Sequence, residues 1–252
     1  MGQRGALKPR RAGGAPAPPA RLPAIDAWRG IAIVAMIAYH FAFDLRLYGL
    51  ARYDFERSAF WLSARALIVS TFLLLVGVSL VLAWRARVAP GRRLRRLAAI
   101  GACAIAVSLA SRAMFPERWI GFGILHAIAV ASLAAWPVVA RPRLALAIGA
   151  VVIAAGLSLS HPAFDTRALD WIGFATRKPA TEDYVPLFPW AGAVFAGIAL
   201  GHALVARAQR LPSAGGRAAR ALRWLGRHGL AVYMVHQPLM IGALALVLRR
   251  LP

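Results

Sequence analysis

Seven apolar stretches of about 20 residues, near 25–45, 60–84, 97–115, 119–139, 143–160, 187–206 and 229–248, follow one another along the chain with short polar segments between them. At about 1.5 Å of rise per residue, each predicts a helix able to cross a hydrocarbon core of roughly 30 Å. A backbone in lipid finds no water to bond to, and these runs are too long and too evenly apolar for the alternating strands of a membrane barrel. The fold class read from this pattern is all-α: a polytopic membrane bundle of about seven transmembrane helices. Ahead of it, residues 1–23 are rich in Pro, Gly, Ala and Arg without any apolar run, and read as a disordered basic tail. That leaves 24–252 as one membrane domain.

Composition supports the same reading. Hydrophobic residues make up 60% of the 252, with a mean hydropathy of +0.61, more apolar surface than a soluble domain of this length hides in a core. Lys and Arg outnumber Asp and Glu by 31 to 9, for a net charge of +22. In a soluble protein that excess would point to nucleic acid. Here the cations lie in short connections between spans, so no nucleic-acid partner is expected and the excess is a topology signal. Counted on alternate sides of the bundle, nineteen fall on the side of the tail, with 85–96, 141–143 and 207–227, and ten on the other. This places the N-terminus in the cytoplasm and the C-terminus across the inner membrane. Cys103 is the single cysteine and lies within an apolar run, so neither a disulfide nor a cysteine metal site is expected, and no metal is assigned. No P-loop, dinucleotide fingerprint or transporter-type repeat is found. Gly197 and Gly201, four apart in the sixth span, permit close helix packing.

Chemistry concentrates in the first span. The eleven steps from Arg29 to His40 overshoot three turns by only about 20°, so both share a face, with Asp26 one turn before Arg29 and Asp44 one turn after His40. This polar stripe must line a cavity or a packed interior, because ionisable groups facing lipid are costly. His40 and Asp44 at i, i+4 have the spacing of a carboxylate–imidazole pair, the usual support of a histidine general base. Arg29, with Asp26 beside it, either meets a phosphate or carboxylate or anchors the helix with Asp26 at the headgroups. His126 falls six or seven residues into the fourth span, at a depth similar to His40; it either shares that cavity or hydrogen-bonds between helices. His236, two residues before Pro238 in the seventh span, either meets a ligand or satisfies the carbonyl that the proline frees. His161, His202 and His228 read as interfacial. The loop 161–186, acidic and aromatic, is a lid or a solvated connector.

As an ensemble, Ile25-Asp26-Ala-Trp-Arg29-Gly30, His40-Phe-Ala-Phe-Asp44, Phe72-Leu-Leu-Leu-Val-Gly77-Val-Ser79, Gly121-Phe-Gly-Ile-Leu-His126, Pro186-Leu-Phe-Pro-Trp190, Leu225-Gly-Arg-His228 and Tyr233-Met-Val-His236-Gln-Pro238 resemble the bacterial members of the heparan-alpha-glucosaminide N-acetyltransferase catalytic-domain family. The likeness covers nearly everything after the tail. Arg29-Gly30, followed by a histidine eleven residues after the arginine, also resembles the first helix of the broader membrane acyltransferase family 3, which O-acetylates surface sugars.

Both resemblances imply transfer of an acetyl group from cytoplasmic acetyl-CoA to a hydroxyl or amine of a sugar-like acceptor at the outer face. They place Arg29, Asp26 and His236 toward the cofactor. His40 becomes general base or transient acyl carrier, oriented by Asp44 and assisted by His126. The lysosomal enzymes carry their essential histidine in the loop after the first helix, and residues 45–59 here contain none, so the role of His40 follows the broader family. Partners implied are the lipid bilayer and a glycan or other small acceptor, with a homo-oligomer left open. Rival readings of the same stripe are a lipid or glycan transporter or flippase, a haem or quinone protein, and a scaffold without chemistry.

Overall fold

The computed structural model describes residues 22–207 and 215–249, and among them every regular element is helical. Eight α-helices follow in order: α1 (Pro23–Leu47), α2 (Ala59–Arg85), α3 (Pro90–Met114), α4 (Ile124–Ala135), α5 (Pro142–Ser158), α6 (Leu187–Ala206), α7 (Gly216–Arg227) and α8 (Gly229–Leu248). Five of them, α1, α2, α3, α6 and α8, are long and apolar enough to cross a membrane. The fourth and fifth apolar runs form shorter helices, Ile124–Val138 with its closing 3₁₀ turn and Pro142–Ser158. The latter's 17 residues reach about 26 Å. The expected tail lies outside the described residues up to residue 21; Leu22 is already buried against Leu75, Val78 and Leu82, and Pro23 opens α1 at the position where a missing N–H costs nothing.

Three boundaries differ from the hydropathy reading. Helix α3 begins at Pro90 rather than 97, because proline starts the helix and the arginines that follow are good helix formers; hydropathy sees only the apolar part. Helix α4 begins at Ile124 rather than 119, since residues 115–123 turn through Phe115 and Gly123. Helix α7 falls in a segment read as an arginine-rich connector. Its Ala219, Leu222, Arg223 and Gly226 recur at helical spacing on the packed side, while Arg217, Arg220 and Trp224 face outward.

Helix α6 is the centre of the bundle, packed between α2 and α5 with α4 alongside, and Leu73, Val81, Ala127, Ala131, Val194 and Ile198 fill the core between them. Small residues set these distances. A Cβ on Gly77 would collide with the α6 backbone at Val194 and Gly197, and one on Gly197 with the Leu74 carbonyl. Gly201 sits over Val78 and Val81, so the spaced glycines of the sixth span do serve close packing. Helix α7 lies as tightly on the start of α1, where Gly30 meets the Leu222 carbonyl and Gly226 meets that of Asp26. Outward-facing Val34, Leu67, Leu109, Leu157, Leu239 and Leu246 are exposed, a surface whose solvent is lipid.

Candidate functional site

The polar stripe of α1 divides into two clusters. At the near end Arg29 donates to Asp26 Oδ1 at 3.2 Å, to Ser79 Oγ of α2 at 2.8 Å and to the Gly226 carbonyl of α7 at 3.3 Å. Asp26 is 5% exposed, and its other oxygen accepts from Arg227 Nε at 3.3 Å. Charge-assisted bonds of this kind fix three helices at one junction.

At the far end, α1 meets α8. The rings of His40 and His236 lie edge to face, 5.1 Å apart between centroids. His236 is 8% exposed, and its Nδ1 lies 2.7 Å from the Tyr233 carbonyl. A carbonyl only accepts, so Nδ1 carries the hydrogen and Nε2 of the neutral ring is left as a lone-pair base. That bond runs to Tyr233 and not to the Met234 carbonyl which Pro238 frees, so His236 does not serve to repair the proline site. Asp44 is fully buried, and it accepts from Gln237 Nε2 at 2.6 Å. The expected Asp44–His40 pair is therefore replaced by an Asp44–Gln237 bond between α1 and α8: at i, i+4 the two side chains share a face, but the carboxylate turns to the neighbouring helix. Three buried atoms here, Asp44 Oδ2, His236 Nε2 and Gln237 Oε1, have no hydrogen-bond partner among the described residues. Buried polar atoms are almost always bonded, and a group of exceptions is where water or a polar ligand would bind. Tyr39, Phe55 and Trp61 close this end of α1 with ring contacts of 4.3–5.7 Å.

His126 sits elsewhere. With α4 starting at Ile124 it occupies the first helical turn, not a position six or seven residues deep. Its Nδ1 accepts the Gly123 amide at 3.2 Å, and its Nε2 faces Ser108 Oγ at 3.4 Å, where Ser108 in turn donates to the Ile120 carbonyl. Both ring nitrogens are occupied in capping α4 and tying it to α3. His161 accepts from the Ala163 amide in the loop, and His202 and His228 bond to backbone carbonyls.

The loop before α6 is anchored rather than loose. Tyr184 donates to the Asp170 carbonyl at 2.7 Å, and burial pushes its hydroxyl up to about 12. Glu182 pairs with Arg118 at 2.8 Å, and Asp183 Oδ2 accepts the Ile124 amide at 3.0 Å, capping α4 from a distance of 59 residues. Burial raises the Asp183 pKa, opposed by the Ile124 bond and the Arg65 charge. A carboxyl group whose pKa is raised by folding contributes stability that is full below its unfolded value, about 4, and is lost as pH rises through the folded value. Asp183→Asn keeps an acceptor for Ile124 without the charge. The variant is expected to melt at or above the wild-type temperature in detergent, with the difference growing from pH 4 to pH 8; a variant that loses stability steadily as pH rises would contradict this.

Among the described residues a histidine pair and buried polar atoms lie between two helices long and apolar enough to cross a membrane, and ionisable groups so placed mark a candidate site. The family model described as "Heparan-alpha-glucosaminide N-acetyltransferase, catalytic" matches residues 21–238, and the chain belongs to that family. The match takes in both clusters and ends just past His236 and Gln237. No curated protein and no solved structure matches the chain. The family is one of membrane acetyltransferases. Among the described residues no group of His, Cys, Asp and Glu is arranged to hold a metal ion.

Proposed function

We propose that the protein moves an acetyl (acyl) group from cytoplasmic acetyl-CoA to a hydroxyl or amine of a sugar-like acceptor at the outer face of the inner membrane, with its N-terminus in the cytoplasm and its C-terminus outside. One observation carries the reading: in a chain of this family, His236 offers a buried, unpartnered Nε2 of fixed tautomer beside His40, next to the Asp44–Gln237 bond. The acceptor's O–H or N–H proton passes to Nε2 of His236. The freed oxygen or nitrogen bonds to the thioester carbonyl carbon, the C–S bond breaks, and CoA leaves as a thiolate that takes up a proton. His40 serves in the same pair, either sharing the charge of the protonated ring or holding the acetyl group on nitrogen between two transfers. Asp44 acts through Gln237, locking α1 to α8 so that the two rings stay in register. His126 holds the α4 turn. Acetyl-CoA approaches from the Arg29 end, where the arginines of α3 and α7 supply positive charge for its phosphates and the Asp26–Arg29 junction holds the helices in place.

Purified protein in nanodiscs, given acetyl-CoA and envelope glycans, is expected to release free CoA only when acceptor is present, and His40→Ala to abolish that release. Equal turnover in both proteins would remove His40 from the mechanism. An acceptor-independent burst of one CoA per protein, lost in His40→Ala, would identify His40 as the carrier.

A further inference from the structure

A cavity of about 710 Å³ opens at the His40 end of the bundle, outside the His40–His236 pair. Four cationic side chains line it: Arg57 before α2, Arg65 in α2, Arg118 between α3 and α4, and Lys178 in the loop before α6. Glu56 is the one acidic side chain in its wall. Counting Glu182, which pairs with Arg118, the cations still outnumber the carboxylates by four to two. Asp183, behind Arg65, is engaged with the Ile124 amide. Burial lowers the Lys178 pKa, the Arg65 and Arg118 charges lower it further, and Glu56 and Glu182 oppose them. Trp190 also lines the cavity, and an aromatic face suits the apolar side of a sugar ring. The cavity is joined to the site by a short chain of neighbours. Arg65 lies within electrostatic reach of Tyr39, and the Tyr39 ring is 6.0 Å from that of His40.

We propose that this cavity is the acceptor subsite and that it selects an acceptor bearing an anionic group, a carboxylate or a phosphate, which Arg57, Arg65, Arg118 and Lys178 hold while Trp190 covers the sugar. The proposal rests on the transferase reading for the word acceptor, and on the wall alone for the anion. Guanidinium groups bind both anions through paired hydrogen bonds, and lysine adds a point charge.

The test uses the full chain in nanodiscs. Glucuronate, inorganic phosphate and glucose are titrated separately while thermal stability is followed, and CoA release is measured with a glucoside, the matching glucuronoside and the matching sugar phosphate. At least one anion is expected to raise the melting temperature where glucose does not, and the two anion arms tell carboxylate from phosphate. Arg57→Gln and Lys178→Gln, each removing a charge-assisted hydrogen bond, are expected to weaken anion binding about tenfold and to cut the preference for the anionic acceptor over the glucoside by a similar factor. Arg143→Gln, which removes a charge at the start of α5, is expected to keep wild-type binding. Stabilisation by neither anion, or equal stabilisation of wild type and both cavity variants, overturns the subsite, even if CoA is released with the neutral glucoside. Anion binding that is lost in the variants, with no CoA release from any acceptor, upholds the anion site and overturns the transferase reading instead.

Discussion

Replacing His236 with alanine is expected to slow acetyl transfer by about 10²- to 10⁴-fold, the range over which a positioned proton acceptor contributes. The expectation follows from one bond. Nδ1 of His236 is committed to the Tyr233 carbonyl at 2.7 Å, so the ring has a single tautomer available and presents Nε2 as a base. No other described histidine combines burial, a fixed tautomer and an unpartnered nitrogen: His126 has both nitrogens engaged, and His161, His202 and His228 belong to loops or helix ends. Single-turnover transfer of labelled acetyl, measured beside a thermal melt of the same sample, separates loss of chemistry from loss of fold. A decrease smaller than about tenfold in a fully folded variant would show that another group takes the proton. His40→Ala is expected to show a comparable loss, and the double variant little more than either single one, because residues that act as a unit are not additive.

Valine at Gly197 is expected to have the largest effect on stability. The backbones of α2 and α6 touch there, and the added side chain would have to enter the space of the Leu74 carbonyl, which has no rotamer to change. Overpacking a core costs about 1–3 kcal/mol where side chains can shift, and the cost at a backbone contact lies at or above the top of that range. Against a total stability of about 5–15 kcal/mol, that is enough to lower yield and melting temperature together. Gly101 of α3 supplies the control: a Cβ there meets nothing within 4 Å, so Gly101→Ala should leave the melt unchanged or raise it by the helix preference of alanine, about 1 kcal/mol or less. Size-exclusion chromatography after heating measures both. A Gly197→Val protein as heat-resistant as Gly101→Ala would mean that α2 and α6 do not cross at this residue.

Hydropathy makes most of this fold legible, because a membrane helix must be a long apolar run whatever it packs against. It fails where helix and apolar run part company. The first turns of α3 are helical but charged, and α7 is an amphipathic helix whose packed face is made of small residues and the stems around them. The site was legible as a list of residues and not as an arrangement. Spacing within α1 places Asp26, Arg29, His40 and Asp44 on one face, but the rotation of α8 relative to α1 is a tertiary fact. It decides that His40 meets His236 and that Asp44 meets Gln237, 193 residues away. The capping by His126 and Asp183 was hidden for the same reason. A histidine three residues after Gly123 becomes a cap only once α4 is known to begin at Ile124, and Asp183 reaches that helix from a separate loop.

The fate of the acetyl group decides between transfer and transport. Protein in nanodiscs is supplied with acetyl-CoA labelled in its acetyl carbon and with a sugar carrying free hydroxyl and amine groups, and the product is analysed for covalent label. Labelled acetyl bound to the sugar, with one CoA released per acetyl transferred and neither formed by His236→Ala, is the predicted result. No acetylated product with any acceptor and no binding of acetyl-CoA, together with movement of a glycan or lipid across a proteoliposome bilayer under a proton gradient, would contradict it.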